Sequence, residues 1–222
     1  YLCLNDKTQA NRIVTILDEL PEESMNFKEL QGKHTTLGFW YACLENWDNS
    51  IKHCNHAVNI IENVIHLNYV DLATVLIFNN KYDKALEICL NQLSSSNAKN
   101  FTRYRAWVNI CCGVCYFLIN DYKKANEYFT KGYDIYLKIG IDTDALWTLS
   151  WIILSDLKMG KLDQQENLNT IHNHINKNWL KDIDYPEVHY NLFRIYNELQ
   201  NSNKSKLHLD KAYKRLIEIS KT

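Results

Sequence analysis

A fixed step runs through this sequence. Gly38, Ala73 and Gly113 stand 35 and then 40 residues apart, and two further steps of 40 reach Ile153 and Phe193. A second series, Ala57, Gln92, Gly132, His172 and Ala212, keeps the same spacing. A period of this length marks a chain made of repeated supersecondary units. One unit cannot bury its apolar face alone, so neighbouring units must stack.

The stretch from Ala106 to Tyr136 shows what each unit contains. It reads as two amphipathic helices joined by a short turn at Asn120-Asp121. Gly113 and Ala125 are small where the helices would cross closely, and Tyr116, Tyr122 and Phe129 are large where the crossing leaves gaps. No period-two strand pattern occurs, and six Gly with two Pro are too few for a turn-rich β protein.

Read along the chain, Thr8 to Leu20 forms a leading helix that Pro21 terminates. A first pair spans Asn26–Glu45 and Asn49–Val64, with Asp48 as the expected N-cap of its second helix. A second spans Ile65–Phe78 and Tyr82–Leu93, followed by a Ser94–Asn97 loop. The third begins near Phe101 and closes at Gly140 in the manner of a left-handed cap. The fourth, Asp144–Met159 and Leu162–Lys177, is the most degenerate, with Asp163 and Glu166 spaced as a capping box. The fifth spans Pro186–Leu199 and Asn203–Ile219, its start signalled by Asp184 before Pro186 and Glu187.

The alternation of small and aromatic positions at fixed offsets, with Lys81-Tyr82-Asp83-Lys84-Ala85 at one turn, resembles the tetratricopeptide repeat (TPR) family. The step near 40 resembles its long-helix variant in bacterial signalling and regulatory proteins. The resemblance implies an all-α, right-handed α-solenoid of antiparallel helix pairs over residues 1–222, with about five pairs behind a leading helix. It also implies that the first helix of each pair lines a concave groove. The chain opens at Tyr1 without Met and is read as a segment of a larger protein.

Composition narrows the functional classes. A formal net charge of -1, with Lys and Arg scattered beside Asp and Glu, offers no basic face for nucleic acid. No apolar run is long enough to cross a membrane. Seven cysteines, an odd number lying within apolar helical patterns, fit reduced thiols in a cytoplasmic setting.

Chemistry-bearing motifs are few. Cys111, Cys112 and Cys115 could suggest a metal or redox centre, but they lie among Val, Ile and Phe at packing positions and lack a loop-borne Cys-x-x-Cys. His53 and His56 flank Cys54, while His172 and His174 fall on different helix faces, so neither pair reads as a ligand set. There is no phosphate loop, nucleophile elbow or His-Glu-x-x-His. The expectation is therefore a non-enzymatic chain with no catalytic residue, metal or cofactor.

The remaining candidate is the groove. Projection of the first helices places Phe39 and Cys43, then Val70, Thr74 and Phe78, then Trp107, Ile110 and Val114 on its wall. Trp147, Ser150, Trp151 and Leu154 continue it, and Tyr190, Asn191, Arg194 and Asn197 form a polar end. In its first four repeats the groove lacks the Lys, Arg and Asn array that holds an acidic C-terminus in some TPR proteins. It suits a hydrophobic peptide or protein segment whose backbone or terminus meets Asn191, Arg194 and Asn197. In the alternative reading, another domain of the same polypeptide fills the groove. The region is then a sensor or autoinhibitory element controlling a fused DNA-binding, ATPase or protease domain.

Overall fold

The computed structural model describes residues 7–60, 67–95, 101–176 and 186–219. These hold eleven α-helices and no strand: α1 (Lys7–Glu19), α2 (Phe27–Cys43), α3 (Trp47–Asn59), α4 (Leu67–Phe78), α5 (Tyr82–Ser94), α6 (Thr102–Leu118), α7 (Tyr122–Lys138), α8 (Asp142–Lys158), α9 (Gln165–Asn176), α10 (Pro186–Glu198) and α11 (Ser202–Ile219). The chain divides into two compact units, Tyr1–Cys115 and Tyr116–Thr222, so the division falls within α6.

The repeat shows most plainly in the backbone at the turns. Positive φ occurs at Glu45, Asn80, Asn120, Gly160 and Gln200, with the spacing read from the sequence. At each of these turns the next N–H returns to a carbonyl five residues back, as Asn46 to Tyr41, Lys81 to Leu76 and Asp121 to Tyr116 (2.8–2.9 Å). Lys161 to Asp156 and Asn201 to Tyr196 complete the set. This satisfies carbonyls orphaned by the end of each first helix and reverses the chain in one residue. Gly is present at only one of these five left-handed positions; three of the other four are Asn or Gln. Tyr82 and Tyr122 brace their own turns by donating to Asn80 and Asn120 Oδ1, each at 2.6 Å.

Helix starts agree with the sequence in kind and differ in two residues. Asn26 forms a capping box with Glu29, accepting the Lys28 and Glu29 N–H groups while Glu29 accepts its own. Asn46, not Asp48, caps α3 by accepting the Asn49 N–H; Asp48 lies in the first turn, where its charge favours the helix dipole. The Asp163–Glu166 box does not form. α9 begins later, at Gln165, and the buried Gln164 occupies the cap position, with its carbonyl accepting the Leu168 N–H. The expected start at Asp184, the end of α3 beyond Ile60, and Ser96-Asn97 lie outside the described residues. Gly140 ends α7 at φ +71°, as expected.

In the first unit, α2 and α3 cross at Gly38, where an added Cβ would collide with Cys54 Sγ. Ser50 Oγ donates to the Gly38 carbonyl across the same contact (2.7 Å). Leu37, Cys54, Ala57, Ala73, Val75, Ala85 and Cys89 are buried around this crossing and its counterpart between α4 and α5. In the second unit, Phe129, Tyr136, Ile153, Ile171, Leu192 and Ile195 form the core. Helix α8 is buried nearly all round, and its Thr148, Ser150 and Ser155 hydroxyls donate to carbonyls of their own helix (2.6–2.9 Å).

The two glycines of α2 should respond oppositely to substitution. Gly38→Leu should lower the free energy of unfolding by about 1–3 kcal/mol through overpacking. Gly32→Ala meets nothing within 4 Å and should raise it by about 0.5–1 kcal/mol through helix propensity. Urea midpoints of the two variants and the parent measure both. Equal midpoints for Gly38→Leu and the parent would remove the close crossing from the account.

Candidate functional site

The predicted groove residues fall into two groups. In the first unit Phe39, Phe78 and Trp107 stand on α2, α4 and α6 with 40%, 50% and 43% of their surface exposed. Thr74 and Val114 are half-buried, and the Thr74 hydroxyl donates to the Val70 carbonyl at 2.8 Å. Val70 and Ile110 are buried, so these two predicted wall residues belong to the core. Ile110 lies three residues past Trp107, a net rotation of about 60° around the helix that brings it to the edge of the face turned toward the core. Cys43 is half-buried at the end of α2 and is disulfide-bonded, contrary to the expectation of seven reduced thiols.

In the second unit the structure brings Trp151 and Arg194 together. The Arg194 guanidinium lies 5.0 Å from the Trp151 ring centroid and 5.2 Å from that of Phe117. Trp151 is itself wedged edge-on to Phe117 (5.2 Å) and stacked on Phe129 (5.5 Å), with Nε1 buried and unpartnered. It is therefore a half-buried platform beneath Arg194 rather than a free anchor. Arg194 makes no ion pair or hydrogen bond among the described residues, so the donors of its guanidinium fork have no acceptor among them. Burial lowers its pKa, opposed by Tyr190, Glu198 and Tyr122. Glu198, the one carboxylate of this set, is held by Lys158 at 2.6 Å.

The other members of the polar end separate from Arg194. Asn191 is buried and donates to Ser150 Oγ at 2.9 Å, tying α10 to α8. Ser150 and Leu154 are buried with it. Asn197 is exposed, Tyr190 is half exposed against Phe193, and Trp147 is half-buried.

The thiols behave as packing groups. Cys89, Cys111, Cys112 and Cys115 are free and buried, with Cys89 hydrogen-bonded to Cys111 and Cys112. Burial pushes Cys54 and Cys115 up to about 12, so neither is a thiolate at neutral pH. Among the described residues no group of three His, Cys, Asp or Glu is placed to hold a metal ion, and no helix is long and apolar enough to cross a membrane. Among the described residues Asp71 is the one carboxylate pushed up, to about 6, by burial, and its charge acts on the buried Cys54, Cys111 and Tyr104.

Two histidine pairs escape a reading of the sequence by motif. His34 and His53 meet Nδ1 to Nδ1 at 2.7 Å between α2 and α3, and His189 and His208 meet at 3.0 Å between α10 and α11. The signal that finds them is the repeat itself. Laid 155 residues apart, the first and fifth pairs share His34/His189, Leu37/Leu192, Tyr41/Tyr196, Leu44/Leu199, Asn46/Asn201, Ser50/Ser205, His53/His208 and Ala57/Ala212.

No family model matches the sequence, and a search of curated proteins finds no significant match. Solved structures match the fold. BtubC (BKLC) from P. vanneervenii superposes with a TM-score of 0.67 at 13% identity, over 98% of this chain and 91% of that one. The apo form of RapI gives 0.62 at 15% identity over 98% and 94%. The nearly identical TPR-like repeats of a putative kinesin light chain from Podosopora anserina give 0.65 at 12% identity over 89% and 100%. The fold is thus the TPR-like helical repeat expected from the sequence.

With the native chain at pH 8, iodoacetamide should leave Cys54, Cys89, Cys111, Cys112 and Cys115 unmodified, and all five should react once the chain is unfolded. A chelator should leave the thermal midpoint unmoved. Rapid native alkylation at Cys111 or Cys115, or a midpoint lowered by chelation, would return chemistry to the cluster.

Proposed function

We propose that this chain is a non-enzymatic protein-interaction module, a single TPR-like array that holds a peptide or protein segment on the faces of its first helices. The observation that carries the reading is Arg194. A half-buried guanidinium laid on Trp151 and Phe117, with no hydrogen-bond acceptor among the described residues, is preorganised for a carboxylate. Within the first unit, exposed Phe39, Phe78 and Trp107 on its first helices offer a separate apolar contact area of the kind that dominates binding energy. Asn191 is withdrawn from the site by Ser150, which leaves Arg194, Tyr190 and Asn197 as its polar members. We assign the module to a cytoplasmic regulatory protein; its five free buried thiols favour a reducing compartment, Cys43 apart.

The test uses hydrophobic peptides with free or amidated C-termini, followed by tryptophan fluorescence. Arg194→Ala should weaken binding of the free-carboxylate peptides by about tenfold or more and leave the amidated ones nearly unchanged. Trp107→Ala should keep its helicity and lose about 2 kcal/mol of binding free energy. Undiminished binding by both variants would move the functional surface elsewhere. Binding seen only with flanking parts of the same polypeptide would favour the sensor or autoinhibitory reading.

A further inference from the structure

Helix α4 carries a carboxylate that the fold leaves without a donor. Asp71 is half-buried, and its charge reaches Cys54 on α3 and Tyr104 and Cys111 on α6. Among the described residues it accepts no hydrogen bond and forms no ion pair. Two hydroxyls of the same neighbourhood are committed elsewhere. Thr74, one turn further along α4, donates to the Val70 carbonyl at 2.8 Å, and Tyr104 donates to Gln92 Oε1 at 3.2 Å. A carboxylate drawn out of water with neither donor nor counter-ion is costly in its charged form, and burial accordingly pushes Asp71 up to about 6.

The groups coupled to Asp71 supply no compensating charge. Burial raises Cys54 and Tyr104, and a hydrogen bond with Cys89 together with burial raises Cys111, so all three are neutral at pH 7. At that pH Asp71 is still mostly ionised. Its place on the helix gives the charge an outlet. Phe78 stands seven residues further along α4, rotated by only about 20°, and half of its surface is exposed. Asp71 thus belongs to the side of α4 that opens at the surface of the first unit. By the repeat step the same register holds Thr36, Cys111, Trp151 and Asn191, none of them charged, so packing of the repeat does not call for a carboxylate here.

We propose that Asp71 is a cation subsite of the interaction surface, receiving a basic side chain or the N-terminal ammonium of the peptide segment held on the first helices of this unit. The subsite deepens the interaction reading and rests on it, but it lies wholly within the first unit and needs nothing from Arg194. Phe78 offers apolar area to the residues that flank the cation. The sign of the pH dependence follows. A bound cation favours the ionised carboxyl and lowers its pKa, so binding is full above pH 6 and weakens as pH falls through that value. A drop of about one unit on binding corresponds to a tenfold preference for the ionised form. It makes binding about fivefold tighter at pH 7 than at pH 5.

Three short peptides test the proposal on the whole chain. N-acetyl-Phe-Lys-amide carries only a side-chain cation, Phe-norleucine-amide only an N-terminal one, and N-acetyl-Phe-norleucine-amide none. Carbon-13 labelling reads the Asp71 carboxyl directly, and in the free chain its midpoint should lie near 6. A cationic peptide at millimolar concentration should lower that midpoint by about one unit, and the neutral one should leave it in place. Whichever cationic peptide moves it further identifies the source of the cation. Asp71→Asn keeps the shape and removes an uncompensated charge, so at pH 7 its urea midpoint should equal or exceed that of the parent. The variant should bind the cationic peptides about tenfold more weakly, with no pH dependence between 5 and 7. An unmoved Asp71 midpoint, equal binding of all three peptides, or undiminished binding by Asp71→Asn would each overturn the subsite. Those outcomes would leave the Arg194 assignment standing, because the free and amidated peptides that test it report on the second unit.

Discussion

Everything in this fold depends on how closely two consecutive helices can cross. At Gly38 the absence of a side chain lets Cys54 and Ser50 approach the backbone of α2, and Ser50 converts that approach into a hydrogen bond. The turn that delivers the second helix to this crossing uses one residue at positive φ and one returning N–H. Both devices are local, so each pair can be specified by its own short stretch of sequence. Stacking of pairs then buries what the crossing leaves over.

Local specification explains why the fold was legible. Small residues at Gly38 and Ala73 and the turn residues between helices impose sterics that few alternatives meet, and the left-handed positions at 45, 80, 120, 160 and 200 follow the step read from the small residues. Cap identity was less legible because several polar residues compete within one turn. Asn46 outcompeted Asp48 since its side chain reaches the Asn49 N–H from the residue just before the helix. At α9 the helix starts late, so Asp163 is left outside it.

The candidate site was legible only in part. Projection by helical period identifies a face to within about one residue, or 100° of rotation. Trp107 and Ile110 differ by about 60° around their helix and Asn191 and Asn197 by about 120°, and in each pair one is exposed or half-exposed and the other buried. Trp151 shows a different limit. Its neighbours Phe117 and Phe129 come from other helices, and periodicity within α8 carries no information about them. The histidine pairs needed a comparison of the chain with itself, since His34 and His53 form no motif along the sequence.

Several crossing positions keep their chemistry between the first and fifth pairs, although Gly38 itself gives way to Phe193, and positions facing away from the crossing change as well. Counted by the same step, Phe39 corresponds to Thr74, Val114, Leu154 and Arg194. One position is thus aromatic and exposed in the first pair, buried and aliphatic in the fourth, and cationic in the fifth. Four residues earlier in register sits the partner of that freedom: Thr35 in the first pair and exposed Tyr190 in the fifth. The crossing positions of these same two pairs, meanwhile, retain the His, Tyr, Ser and Ala set almost unchanged. The two faces of α10 therefore differ in what they do: one holds the His189 contact with α11, and the other lays the Arg194 guanidinium on Trp151 and Phe117, where it has no ion pair or hydrogen bond among the described residues.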